Sequence, residues 1–389
     1  MASTPARALV VLDLRNSHAS LLQVSNEYLA VLEPPQFRRI SVLLRGDLPA
    51  ANSLQPDIPA ERVLFLGFNK KMLCWRLRAA WRLRAICREE RVDLVIAHRF
   101  KSHQVMGLLY LFYPHFTQLA VIHGLHQITS SWRKLFYKRM LSRATFVGVS
   151  RAVADDIRHS LNLPANSKSA EPPAQPGPGR VVTLHNVMDV ATIASKLPSR
   201  DQARRQLGLG EEEIVFGHVG RLSKSKDQST LLRAFAIVRR DIPGARLVIV
   251  GDGSKRNKLT ALAEELGIAT AVTFTGSLEN AWQIMPAFDQ FVLTSVHEGF
   301  GMVLIEAMIA RVPLVVTNAG GIGEVVADCC PLCKPGDVEG VANEMLSIAG
   351  LSAEQKKQLG DRLFQRAETA FGRDGMRRRL NELVEQSLA

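Results

Sequence analysis

Residues 297–308 read His297-Glu298-Gly299-Phe300-Gly301-Met302-Val303-Leu304-Ile305-Glu306-Ala307-Met308, and the fold of the C-terminal half turns on them. The preceding run Asp289 to Ser295 (DQFVLTS) is apolar and β-leaning, whereas Met302 to Ile309 favours helix. Gly299 and Gly301 therefore sit where a strand turns into a helix. Amides exposed at such a helix start attract phosphate. A carboxylate beside them repels phosphate and suits neutral hydroxyls, which makes Glu298 and Glu306 candidate sugar and ribose ligands. Two other readings stand beside this one. In the first, Glu298 caps the helix and Glu306 is a solvated helical glutamate. In the second, the two are a glycosidase acid pair; eight residues of helix span up to ~12 Å, against the roughly 5 to 9.5 Å between glycosidase carboxylates.

A second turn of the same kind lies upstream. Glu213 to Val219 (EIVFGHV) reads as a buried strand, and Ser229 to Arg239 places Leu231, Leu232, Phe235 and Val238 at helical spacing. Between them, Gly220-Arg221-Leu222-Ser223-Lys224-Ser225-Lys226-Asp227 carries Arg221 and Lys226 on a strand-to-helix turn. Arginine forks onto phosphate oxygens and lysine adds a mobile point charge, which together neutralise a diphosphate without metal. Taken alone, such a basic loop is usually a solvated face.

These segments resemble the retaining glycosyltransferases of family 4. The resemblance is carried by Gly220 to Lys226, Val250-Gly251-Asp252-Gly253, Phe274-Thr275-Gly276, the glutamates Glu298 and Glu306, and Pro313 to Val326 with its Gly320-Gly321 turn. It spans roughly residues 181 to 345. It implies an α/β protein of the GT-B fold, with two doubly wound Rossmann-like domains facing each other across a cleft. It also implies roles: Arg221 and Lys226 on the donor diphosphate, with the amides of Phe300, Gly301 and Met302; Glu306 on the ribose; Glu298 on a hydroxyl of the transferred sugar; Gly220 and Gly299 lining the donor site. His123, in Ala120-Val121-Ile122-His123-Gly124, resembles the family histidine that approaches that sugar, although a histidine after a strand is commonly structural. The Gly-Gly turn that the family has after its first strand is absent, and Arg15-Asn16-Ser17-His18-Ala19 stands there.

Length and pattern agree with two domains. The chain has 389 residues, 47% of them hydrophobic, ample for two cores. Strand-like runs at Leu9–Leu14, Ile40–Leu44, Val63–Leu66, Leu94–Ala97, Leu119–His123 and Thr145–Val149, with helical patterns between several of them, predict one parallel sheet. Runs at Ile214–Val219, Arg246–Val250, Val272–Phe274, Phe291–Ser295 and Pro313–Thr317 predict a second. In such sheets ligands bind at the carboxyl ends of the strands. The Pro-rich segment 164–180 reads as a mobile surface loop, and Asn186 to Asp189 as the hinge. The expected division is 1–187 for an acceptor-binding domain and 188–370 for the nucleotide-sugar domain, with 371–389 a helix returning to the first.

Charge is uneven. Residues 1–180 hold 25 Lys and Arg against 12 Asp and Glu, which accounts for all of the net +12. The stretch from Lys70 to Arg84 reads as a helix with Met72, Trp75, Ala79, Leu83 and Ile86 on one stripe and Trp81 on the basic side. With Trp132 to Arg139 it offers a surface, through Lys70, Lys71, Arg78, Trp81, Arg82, Arg133 and Lys134, to anionic lipid or an anionic acceptor. An ordinary docked helix with a solvated basic face fits the same pattern. Nucleic acid is the rival partner, and no recognised nucleic-acid module is present.

No signal-peptide pattern opens the chain, and the longest apolar run, Val105 to Tyr113, falls short of the ~20 residues that span a bilayer. The expected location is the cytoplasm, with the protein resting peripherally on the inner membrane face. Five cysteines make no disulfide framework, and Cys330-x2-Cys333 lacks a second pair, so neither metal nor other cofactor is expected. The expected partners are a nucleotide sugar, UDP-sugar favoured, and a glycan or glycolipid acceptor. The expected reaction is retaining, metal-independent transfer of a hexose or N-acetylhexosamine, in lipopolysaccharide core or other bacterial surface glycan assembly. A nucleotide-sugar epimerase on a similar scaffold and a catalytically silent nucleotide-sugar-binding protein are the alternatives.

Overall fold

Alternating buried strands and amphipathic helices pair in parallel because each crossover helix must return the chain to the same sheet edge direction. In the computed structural model, which describes residues 9–15, 19–44, 58–68, 72, 74–164 and 180–388, they form two compact units. Residues 1–188 and 373–389 make one, residues 189–372 the other.

The first unit contains strands β1 (Leu9–Arg15), β2 (Phe37–Leu43), β3 (Arg62–Phe65), β4 (Leu94–His98), β5 (Thr117–Ile122), β6 (Thr145–Gly148) and β7 (Val181–Thr183). All pair in parallel, in the order β3-β2-β1-β4-β5-β6-β7. Leu12, Val95, Ile96 and Val121 are fully buried, as expected of a sheet covered on both faces. Its helices are α1 (Ala19–Ala30), α2 (Trp75–Glu90), α3 (Phe100–Phe112), α4 (Ser131–Leu141) and α5 (Arg151–Leu161). Progression reverses between β1 and β4. Right-handed crossovers then put α1 on one face and α2 to α5 side by side on the other. Ser150 caps α5 by accepting the Val153 amide, and Gly148 lets that helix start close to the sheet, since a Cβ there would lie 2.6 Å from the Ala154 nitrogen. The C-terminal helix, Arg373–Leu388, belongs to this unit and is anchored by Arg373 to Glu27 and Arg377 to Glu33, each at 2.6 Å.

The helix expected from Lys70 begins only at Trp75. Cys74 has φ 54°, a left-handed conformation that no continuing right-handed helix accommodates. Consequently Met72 precedes the helix and is exposed, and the buried stripe is Trp75, Ala79, Ala80, Leu83 and Cys87. Ile86 is only half-buried. Lys70 and Lys71, the segment 165–179 within the Pro-rich loop, and residues 16–18 of the loop after β1 lie outside the described residues.

The second unit contains β8 (Val215–Val219), β9 (Arg246–Val250), β10 (Val272–Gly276), β11 (Gln290–Leu293), β12 (Leu314–Thr317) and β13 (Leu332–Cys333), parallel in the order β10-β9-β8-β11-β12-β13. Its helices are α6 (Val190–Lys196), α7 (Arg200–Leu207), α8 (Gln228–Asp241), α9 (Arg256–Glu265), α10 (Met302–Ile309), α11 (Ile322–Val326), α12 (Val338–Ala349) and α13 (Ala353–Phe371). Phe216, Leu231, Phe235, Val238, Leu247 and Ile249 share one core in which each is fully buried. Each such side chain contributes roughly 1.5–3 kcal/mol. Arg204, 1% exposed, is tolerated because its guanidinium donates to the carbonyls of Ala287, Gly210, Glu211 and Glu213 and to Asp289. Here the sheet order reverses between β8 and β11.

Candidate active site

The turns after β8, β11 and β12 are bound to one another. Thr294, following β11, donates to the Asp227 carbonyl at 2.9 Å, and the Val296 amide donates to the Ser225 carbonyl at 2.8 Å. The Gly321 amide, in the turn after β12, donates to the Glu298 carbonyl at 3.1 Å. Across this stapled rim Lys226 Nζ donates to Glu298 Oε2 at 2.5 Å, with both side chains mostly buried. The ammonium and carboxylate that the sequence placed 72 residues apart are thus one ion pair at the reversal point of the sheet, where such folds bind ligands.

Glu298 does not cap the following helix. The residue before α10 is Gly301, at φ 91°, and no side chain caps it. A glycine is needed there, because at that φ a Cβ is strained and would also meet Leu304 Cδ1 at 3.2 Å. The amides at the start of α10 carry the partial positive charge of a helix N-terminus. The Phe300 ring is buried against Phe371, centroids 5.5 Å apart, which takes its side chain out of any ligand contact. Gly299 is buried, and Met302 half-buried. Glu306, one face of α10, is half-buried rather than solvated, and burial pushes its carboxyl up to about 7.

The basic turn is held from below by residues that periodicity does not single out. His218 Nδ1 lies 2.9 Å from the Val292 carbonyl and must donate to it, so Nε2 is the acceptor for the Gln228 amide at 3.1 Å. That amide also donates to the Arg221 carbonyl at 3.0 Å. Burial holds His218 down at about 4, so this scaffold stays neutral. The Arg221 side chain itself is exposed. Gly220 donates through its amide to the Val250 carbonyl, and Leu222 to that of Asp252, at 2.9 and 3.0 Å. Gly251 and Gly253 permit this approach, since a Cβ would come within 2.1 Å of the Gly220 oxygen at the first and 2.3 Å of the Leu222 oxygen at the second.

In the first unit His123 stands one residue past β5. Its Nε2 lies 3.0 Å from His98 Nδ1, and His98 Nε2 lies 3.1 Å from Asp13 Oδ1. Burial, then the neighbouring His98, His103 and Arg99, hold His123 well below the usual imidazole range. Neither Asp13 nor His98 was marked by the sequence. A polar residue at the centre or end of an otherwise apolar strand, as in LVVLDLR and LVIAH, is the signal that could have found them.

Of the basic surface, Arg78, Trp81, Arg82 and Lys134 are exposed. Arg133 is engaged in the protein: it donates to the Gln127 carbonyl at 2.9 Å and lies 4.6 Å over the Phe100 ring. Among the described residues no helix is long and apolar enough to cross a membrane.

The two parallel-sheet units are Rossmann-like domains of the GT-B class. Residues 199–363 match the model for glycosyl transferases group 1, and residues 39–168 the model for Glycosyltransferase Family 4. The chain belongs to this glycosyltransferase family. It is 30% identical over 184 residues to N-acetyl-alpha-D-glucosaminyl L-malate synthase of Bacillus anthracis, an alignment covering 47% of each chain. It is 29% identical to glycogen synthase of Mycobacterium tuberculosis over 72% of this chain and 68% of that one. The chain thus aligns with about half the length of the first of these relatives. Anabaena HepE, solved in complex with UDP and glucose, superposes with TM-score 0.75 at 19% identity, over 96% of this chain and 99% of that one, a likeness of fold.

Proposed function

We propose that the protein is a retaining, metal-independent glycosyltransferase that moves a hexose or N-acetylhexosamine from a nucleotide diphosphate sugar to a glycan or lipid-linked acceptor. The observation that carries this reading is the Lys226–Glu298 pair on a stapled rim beside the α10 amides. In this reading the diphosphate takes Lys226 from Glu298 and is held by Arg221 and the amides of Phe300 to Met302. The freed Glu298 carboxylate accepts from a sugar hydroxyl, Glu306 from the ribose hydroxyls, and His123 holds the same sugar. The charge on the departing diphosphate is stabilised by groups already in place, and its oxygen takes the acceptor proton on the retained face. UDP-sugar is favoured; HepE, of the same fold, was solved with UDP.

The acceptor reading rests on the helix layer of the first unit. Among the described residues its exposed large apolar side chains are Leu77, Trp81, Leu111, Phe112, Trp132 and Leu135, on α2, α3 and α4, and Met72 just before α2. Residues 94–154, which include α3 and α4, contain no Asp or Glu. Trp81 is 64% and Trp132 53% exposed, as befits aromatic rings meant for a lipid headgroup layer. We assign this face to a lipid-linked acceptor at an anionic membrane, in bacterial surface glycan or lipopolysaccharide core synthesis.

The test is incubation with UDP-, GDP- and ADP-sugars without acceptor, reading nucleotide release and thermal stabilisation. Donor-selective response that disappears in Lys226→Ala supports the site and names the donor. A response that survives both Arg221→Ala and Glu298→Ala overturns the assignment, and binding without release in the presence of acceptor glycolipids favours a silent sugar-nucleotide binder.

A further inference from the structure

At the reversal of the second sheet, β8 stays paired with β9 as far as Val219, whereas its pairing with β11 ends at Gly217 opposite Phe291. The side chain of the next residue takes over the link to β11, since His218 Nδ1 donates to the Val292 carbonyl. His218 and Gln228 are 0% and 1% exposed. An imidazole and an amide in a core carry a desolvation cost that hydrocarbon side chains of similar size avoid, so their hydrogen bonds need a reason. We propose that His218 and Gln228 are positioning residues for the donor diphosphate, which tie the Arg221 end of the basic turn to β11.

The two ends of that turn are held differently. At the Lys226 end, Thr294 and the Val296 amide bind the carbonyls of Asp227 and Ser225, so residues that follow β11 grip it directly. At the Arg221 end, the Gly220 and Leu222 amides go to Val250 and Asp252, on the β9 side. The Arg221 carbonyl takes its bond from Gln228, at 3.0 Å, and Gln228 reaches β11 through His218. The direction of every bond in this link is fixed. A carbonyl only accepts, so the His218 proton is on Nδ1, and the neutral ring leaves a lone pair at Nε2. Reversing the Gln228 amide would set its oxygen against that lone pair and against the Arg221 oxygen, so both N–H groups are used as donors. The imidazole itself lies parallel to the buried Phe291 ring, centroids 6.4 Å apart.

The inference deepens the donor-site reading above and rests on it. Calorimetric titration of the full chain with UDP, GDP and ADP, and with the matching monophosphates, compares the unaltered protein with Gln228→Met, His218→Phe and the double variant. Methionine keeps the length of the side chain and removes both donors. The expected result is a loss of about tenfold or more in affinity for the diphosphate that binds, with its monophosphate little changed. The double variant should be no weaker than the weaker single one, because the two residues form one link. A lowered melting temperature with diphosphate affinity intact makes the pair structural only and overturns the proposal. Equal losses for mono- and diphosphate, or additive losses in the double variant, overturn it as well. If the unaltered protein binds none of the diphosphates, the donor reading falls and the proposal with it. If the variants fail to fold, NMR of the unaltered protein with 15N-labelled histidine decides. The expected spectrum has the His218 proton on Nδ1 and an Nε2 signal that moves when the diphosphate binds; a proton on Nε2, or an Nε2 signal indifferent to the diphosphate, overturns the proposal.

Discussion

Lys226 and Glu298 neutralise each other in a mostly buried setting, so removing one strands the other. Lys226→Ala is expected to lower stability by about 1–3 kcal/mol, and Lys226→Ala with Glu298→Ala by less than the two single changes combined. Urea unfolding of the four proteins checks this; additive effects would mean the pair is not coupled. Glu306 works in the opposite sense. Its carboxyl titrates near 7 in the folded protein, against an ordinary value of 4.5. Because the folded state binds the extra proton, this residue's contribution to stability is unfavourable above that window. It worsens as pH rises from about 4.5 to about 7 and is level beyond. Glu306→Gln should remove this slope and raise the melting temperature at pH 8, by roughly 2–4 °C for each kcal/mol regained, while weakening nucleotide binding. An unchanged pH profile in the variant would show that Glu306 is not the group responsible.

At the scale of elements, the β8–α8 turn depends on glycines that never touch a ligand. Gly253 lets the loop after β9 receive the Leu222 backbone, and a methyl group there would push on the Leu222 carbonyl at 2.3 Å. Gly253→Ala is therefore expected to displace the turn carrying Arg221 and Lys226, with nucleotide-induced stabilisation largely lost and far-UV circular dichroism retained. Full retention of nucleotide binding would show that the turn is set by the His218–Gln228 contacts alone. Much at this scale was legible. The runs read as strands occur as β1 to β6 and β8 to β12, with no end shifted by more than three residues, because buried parallel strands are short apolar runs bounded by breakers. The start of α2 was not legible: nothing in Met72-Leu73-Cys74 forbids helix locally, and Cys74 turns left-handed where Trp75 packs on Phe68, ring centroids 6.2 Å apart.

For the whole molecule, charge and exposed aromatic area both gather on the first unit. The protein is expected to sediment with vesicles containing anionic lipid and to be released by salt, as surface charges are screened. Arg78→Ala with Arg82→Ala removes about 1 kcal/mol per charge near the surface, a loss of about tenfold or more in binding. Binding that ignores both salt and these arginines would remove the α2–α4 face as a membrane contact. From the sequence alone came the parallel α/β architecture, the two strand-to-helix turns and the placement of positive charge, because these follow from periodicity and composition within short windows. Only the tertiary structure decided that Lys226 meets Glu298, that Gln228 links His218 to the Arg221 carbonyl, and that Asp13, His98 and His123 are neighbours. Those contacts arise from sheet order, β8 beside β11 and β1 beside β4 beside β5, and crossover connections join strands that no local pattern marks as neighbours.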